Sequence, residues 1–269
     1  MFNRLTWYSL LTLTAIGVVS LSLGFFKAME VAGGSSAVKA AAGNSVLSAR
    51  PVVALRVANA VRIVVMGDSI AYGTGDEKGR GFTTYLPPLL KPKTTKALTI
   101  DNVAVNGMRI DGLLDQINGE RLQALLPIAD IVLISIGGND LRELRSETDS
   151  LIKESKFKTI EANYLKKLQE SFQAIRKCSS NGCIVFLGLY NPYEKSGSLE
   201  DARYLSLWNF DTQRLFEADA RAIFIPTYDL FKFNLNRFLA PDGMHPNSLG
   251  YQTVSNRISK SIESNLIRE

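Results

Sequence analysis

Five short apolar runs constrain this chain more than anything else in it: Val61 to Met66, Leu98 to Val103, Ile131 to Ile136, Ile184 to Leu189 and Ala222 to Ile225. They do not alternate apolar with polar, so each reads as a strand buried on both faces. The segments between them have helical period. One places Ile160, Tyr164, Leu165, Leu168, Phe172 and Ile175 on a single face, and the last places Tyr251, Val254, Ile258 and Ile262 on another. Strands separated by helix-length segments pair in parallel, because a hairpin turn cannot join them. The alternation therefore predicts a three-layer α/β/α sandwich around a five-stranded parallel sheet. With 269 residues, 46% of them hydrophobic, the chain can bury one large core.

In such sheets a ligand site forms beyond the carboxyl ends of the strands, and the polar motifs fall there. Gly67-Asp68-Ser69 follows the first run, Asn106-Gly107 the second, Gly137-Gly138-Asn139-Asp140 the third, and Asp242-Gly243-Met244-His245-Pro246 the fifth. Taken singly, each is an ordinary turn or helix cap. Four of them at four strand ends form a pattern.

His245 is the single histidine, which argues against a histidine-rich metal centre, since such centres draw on two or three imidazoles. A lone imidazole suffices to activate a serine. Asp242 lies three residues before His245 with Gly243 between, so a tight turn can seat the carboxylate against one ring nitrogen. In that reading Ser69 is the nucleophile, His245 its base and Asp242 the group that orients the base. The oxyanion donors are the backbone amides of Ser69 and Gly107 and the side-chain amide of Asn139. Asp68, next to the nucleophile on a tight turn, is read as an organiser of that turn.

The four blocks resemble those of the GDSL-type, or Ser-Gly-Asn-His, esterases and lipases. The first reads Val64-Val65-Met66-Gly67-Asp68-Ser69-Ile70, with isoleucine where the family name has leucine, and the second Asn102-Val103-Ala104-Val105-Asn106-Gly107. The third and fifth are intact, and the likeness spans residues 60 to 266. It implies a flavodoxin-like fold, the same roles for Ser69, Gly107, Asn139, Asp242 and His245, and no metal or organic cofactor. It does not imply one substrate, because members cleave lipids, thioesters, simple esters and acetyl groups on sugars. A non-catalytic binding module on the same fold is the alternative from another class. Nucleotide binding through Gly73-Thr74-Gly75 is weak, for no phosphate-binding Lys-Ser/Thr pair follows.

Residues 1–27 are different in kind. Trp7 to Phe26 carries no charged residue and as a helix is about 30 Å long, enough to cross a bilayer. We read an N-terminal anchor, with a cleaved signal peptide as the alternative. The spacer 28–59 follows, and the hydrolase domain occupies 60–269. The catalytic domain is thereby expected outside the cytoplasm, held at the membrane or secreted. The net charge of +5 is scattered rather than gathered into a stripe, so nucleic acid is not an expected partner.

Cys178 and Cys183 flank the turn-forming Ser179-Ser180-Asn181-Gly182, so they are either a small disulfide loop or two free thiols at a helix-to-strand junction. Substrate clues are fewer. Asn191-Pro192-Tyr193, with Tyr204, Leu205, Trp208 and Phe210, is read as either the lining of an acyl pocket or ordinary core.

Overall fold

The computed structural model describes residues 60–193 and 199–263. The expected anchor and spacer lie outside these residues. Among the described residues no helix is long and apolar enough to cross a membrane.

Five strands form one sheet: β1 (Ala60–Gly67), β2 (Ala97–Asn102), β3 (Ile131–Ser135), β4 (Cys183–Leu187) and β5 (Ala222–Ile225). The order is β2-β1-β3-β4-β5 and every pairing is parallel, which is the flavodoxin-like order. Alternate residues of each strand feed two separate cores. Ile63 and Val65 of β1, Leu133 of β3 and Val185 of β4 face α2 (Phe82–Leu90) and α10 (Ser248–Ser261). Val64 and Met66, with Val132, Ile134 and Phe186, face α3 (Ile110–Asn118), α6 (Ser150–Cys178) and α7 (Leu199–Glu217). The three-layer sandwich expected from the alternation is the one observed.

The remaining helices are short. They are α1 (Ser69–Tyr72), α4 (Glu120–Leu125), α5 (Gly138–Leu141), α8 (Tyr228–Lys232) and α9 (Leu235–Phe238). Of the face expected on the long helix α6, Tyr164, Leu168 and Ile175 are fully buried and Ile160, Leu165 and Phe172 pack partly against the same core. On α10, Tyr251, Val254 and Ile258 are buried, as is Ile262 just past its end.

The two edge strands depart from expectation, and β5 is buried only at Ile225. β2 is half-buried rather than buried on both faces, because it is an edge strand. Its Asp101 accepts a 2.7 Å hydrogen bond from the Arg62 guanidinium, so a run that reads apolar at Leu98 and Ile100 carries a surface ion pair near its end. The cysteines are also resolved: Cys178 and Cys183 are both free thiols.

Between β1 and β3 the chain direction of the sheet order reverses, and the crevice at such a switch point is where ligands bind in open α/β sheets. The ends of β1 and β3 carry Ser69 and Asn139.

Candidate active site

The end of β1 is pressed tightly on β3. Gly67 has φ of 115°, and a Cβ there would sit 1.9 Å from the Ser135 carbonyl oxygen, so no other residue fits. The Asp68 amide then donates to that oxygen at 2.8 Å. Asp68 itself is only 2% exposed. Its carboxylate accepts from the Ile70 amide at 3.0 Å, which caps α1 and turns Ser69 outward at the first helical position. Burial pushes the Asp68 carboxyl up to about 7, against hydrogen bonds from Ser135 and the Ile70 amide that pull it down. It organises the turn, as its position beside Ser69 suggested.

A second tight turn follows β5 and the short helices behind it. The Ala240 amide donates to the His245 carbonyl at 2.8 Å and the Gly243 amide to the Ala240 carbonyl at 2.9 Å. Inside this turn Asp242 Oδ1 accepts from the amides of Met244 at 2.8 Å and His245 at 2.9 Å, while Oδ2 lies 2.6 Å from His245 Nδ1. Burial alone would raise the Asp242 carboxyl, but the hydrogen bonds from the His245 ring and these two amides outweigh it and hold it below the usual range. An ionised Asp242 can only accept, so Nδ1 carries the proton and Nε2 presents its lone pair. That Nε2 lies 2.9 Å from Ser69 Oγ, across a sequence separation of 176 residues. The His245 side chain is 11% exposed. Tyr190 fixes the turn from behind by donating to the Met244 carbonyl at 2.6 Å.

The loops after β2 and β3 stand beside Ser69. The Val105 amide donates to the Gly67 carbonyl at 2.8 Å, and Thr74 Oγ1 donates to Asn106 Oδ1 at 2.6 Å. Gly107 is exposed, with φ of 76° and nothing within 4 Å of where its Cβ would be. Asn139 Nδ2 donates one hydrogen to the Met108 carbonyl at 2.9 Å, and its second is not taken by any described residue. Asp140 carries the other half of this latch: its carboxylate, pushed up by burial, accepts from the Ile110 amide at 3.2 Å and from Arg109 Nε at 3.5 Å.

Beside these residues opens a cleft of about 310 Å³. Ser69, Asn139 and His245 line it together with Leu141, Leu144 and Leu189. Of the residues read as an acyl pocket, Asn191, Pro192, Tyr193, Tyr204 and Leu205 line the cleft. Trp208 does not: it is buried and stacked on Tyr164 with ring centroids 4.1 Å apart, so it is core. Phe210 is 57% exposed and outside the cleft. Helical spacing places aromatics on a face without saying what the face meets. Gly73-Thr74-Gly75 forms no open cradle, since a Cβ on Gly75 would lie 2.6 Å from the Pro246 carbonyl oxygen and 2.7 Å from His245 Cβ. Among the described residues no cluster of His, Cys, Asp and Glu could hold a metal ion.

A hydroxyl, an imidazole and a carboxylate in relay at the mouth of an apolar cleft can split esters, and this chain is a carboxylic ester hydrolase. It belongs to the GDSL-like Lipase/Acylhydrolase family, whose sequence model matches residues 65–253. The chain is similar to protein YpmR of Bacillus subtilis (strain 168), 27% identical over an alignment of 212 residues that covers 75% of this chain and 81% of YpmR. It is similar also to the spore germination lipase LipC of Bacillus licheniformis, 24% identical over 203 residues, 74% of this chain and 94% of LipC. Among solved structures, the lipase Lip_vut3 from a goat rumen metagenome shares the fold with a TM-score of 0.68 at 22% identity, covering 75% of this chain and 97% of that one.

Proposed function

We propose that the protein hydrolyses acyl esters through a covalent acyl-enzyme on Ser69. His245 Nε2 takes the Ser69 proton as Oγ attacks the carbonyl carbon, and Asp242 stabilises the imidazolium that forms. The carbonyl oxygen becomes an oxyanion, met by the amides of Ser69 and Gly107 and the free hydrogen of Asn139 Nδ2. Collapse breaks the bond to the alcohol, which leaves with the proton from His245. Water then repeats the sequence, giving up a proton to His245 and releasing the acid and the serine hydroxyl. The observation that carries this reading is the pair of contacts on one ring, 2.9 Å to Ser69 and 2.6 Å to Asp242.

The apolar cleft supports an acyl chain longer than acetyl as the group held on Ser69, because its leucines would leave an acetyl group with little to fill. The charge-free stretch from Trp7 to Phe26 supports anchoring at the membrane with the catalytic domain outside the cytoplasm. Protease treatment of intact cells tests this: the domain is degraded if it is outside and protected if it is not.

A fluorophosphonate probe should label Ser69 in the folded protein and fail on Ser69→Ala and His245→Ala, with turnover of p-nitrophenyl esters lost in parallel. A series of acyl lengths that includes acetylated sugars separates a lipase from a glycan deacetylase. Absence of labelling in folded wild-type protein would instead favour a binding module.

A further inference from the structure

The cleft carries charge as well as apolar surface. Besides His245, its charged lining residues are Asp68, Arg142, Arg145, Lys153 and Asp201. Asp68 is buried in the Ser69 turn, and Lys153 Nζ is neutralised by Asp201 at 2.6 Å. Arg142 and Arg145 are different. Both are exposed, and among the described residues neither forms an ion pair with a carboxylate. Glu143 between them is engaged by Arg109, and Glu147 accepts from the amides of Thr148 and Asp149.

Both arginines are nonetheless held in place. The Arg142 guanidinium lies 3.9 Å from Met244 Sδ. That of Arg145 stacks over the Tyr193 ring, 3.3 Å from its centroid, and the Tyr193 hydroxyl stands 3.5 Å from the same sulfur. Stacking orients the Arg145 guanidinium without using its N–H donors, and the contact to sulfur uses one weak N–H···S bond from Arg142 Nη1, so most of the five donors on each group stay available to an anion. Met244, the shared platform, is the residue before His245, and the ring of His245 is where the leaving oxygen collects its proton.

We infer that Arg142 and Arg145 form an anion subsite for the alcohol half of the substrate, so that the preferred ester joins an apolar acyl chain to an alcohol bearing a phosphate or a carboxylate. The inference rests on the proposed reaction at Ser69, because that reaction puts the alcohol beside His245. Hydrolysis of such an ester consumes one water and breaks the acyl–oxygen bond, giving the fatty acid and the anionic alcohol.

The test compares kcat/KM for one acyl chain esterified to glycerol, to glycerol 3-phosphate and to lactate, in wild type and in Arg142→Gln/Arg145→Gln. The anionic esters should exceed the neutral one by about tenfold, the size of a charge-assisted hydrogen bond partly screened by solvent. That ratio should fall with added salt and drop to near one in the double variant, with each single variant in between. A preference for the phosphate ester over the lactate ester, or the reverse, identifies the anion. Because the readout is a ratio within one preparation, partial misfolding cancels. A wild-type ratio near one, or a ratio that survives in the double variant, overturns the subsite and leaves the reaction standing. Retained hydrolysis of the neutral ester by Ser69→Ala overturns the reaction instead.

Discussion

Asp76 accepts a 2.6 Å hydrogen bond from the hydroxyl of Ser248, which lies 172 residues further along the chain. The same carboxylate accepts from the Tyr85 hydroxyl at 3.0 Å and from the Gly81 amide at 2.9 Å, and Glu77 accepts from the Ser248 amide at 2.7 Å. The loop behind Ser69 is thereby fastened to the start of α10, directly after the turn that holds His245. The spacing of Ser69 and His245 depends on this clasp as well as on the sheet.

Replacing Ser248 by alanine should therefore lower kcat more than it raises KM, by up to about a hundredfold if the imidazole shifts by an ångström. Burial would raise the Asp76 carboxyl, but hydrogen bonds from Ser248 and from the amides of Arg80 and Gly81 outweigh it and hold it below its ordinary 3.8. A carboxyl whose value is depressed on folding stabilises the protein above its unfolded value and stops doing so as pH falls through the folded one. The gap in Tm between wild type and Asp76→Asn should thus be widest near neutrality and narrow below about pH 4. A gap that does not change with pH would show that the charge is irrelevant to the clasp.

Asp68 should behave in the opposite sense. Its folded value is pushed up to about 7 from 3.8, so the folded state keeps a proton that the unfolded state has released, and stability falls as pH rises through that interval. Asn at this position still accepts from the Ile70 amide, so Asp68→Asn should fold and show a flatter stability profile between about pH 4 and 7. Its kcat should also suffer far less than that of Asp242→Asn, for which a loss on the order of 10⁴ is expected because the imidazole loses its orienting acceptor. Equal losses in the two variants would mean that Asp68 acts in the chemistry.

How much of this was visible in the chain itself follows from distance along it. Ile131 to Ser135 and Cys183 to Leu187 are buried at every residue, and a strand of that kind announces itself by composition alone. Ser69, Asn139 and His245 could be picked out because each follows a strand end or a turn whose residue types are unusual together. Asp76 gave no such signal: its partner is on the last helix, and a lone Asp after glycine looks like any turn. Arg142 and Arg145 likewise gave no signal, since only the fold brings Met244 and Tyr193 against them. β2 was misjudged because Leu98-Thr99-Ile100-Asp101 alternates apolar with polar, the pattern of a half-buried strand, and does not belong with the uniformly apolar runs.

Asn139 and Gly107 are the proposed oxyanion donors beyond Ser69 itself. Asn139→Ala removes a side-chain donor and should lower kcat by about 10² to 10³ with little change in KM. Gly107 stands in open space at φ of 76°, so Gly107→Ala meets no neighbour, but an L residue there is strained by about 1–2 kcal/mol. A modest loss of Tm with a larger loss of kcat is expected, since relief of the strain would turn the amide away from Ser69. If Gly107→Ala kept full kcat, that amide would not be an oxyanion donor.

The thiols give a prediction independent of catalysis. Cys183 opens β4 and is buried, and burial pushes its thiol up to about 11, partly opposed by Arg176. Almost none of it is thiolate at pH 8, and the thiolate is the reactive form. Cys178, at the end of α6, is half-buried with Sγ 3.6 Å from Gln123 Oε1. Native protein should therefore react with a thiol reagent at Cys178 first, and Cys183 should become available only on unfolding. The intact mass should be the same with and without reductant, because the two sulfurs are unbridged. Protein purified without reductant that gained two hydrogens on reduction, and that exposed no thiol in denaturant beforehand, would show instead that Ser179 to Gly182 is closed as a disulfide loop.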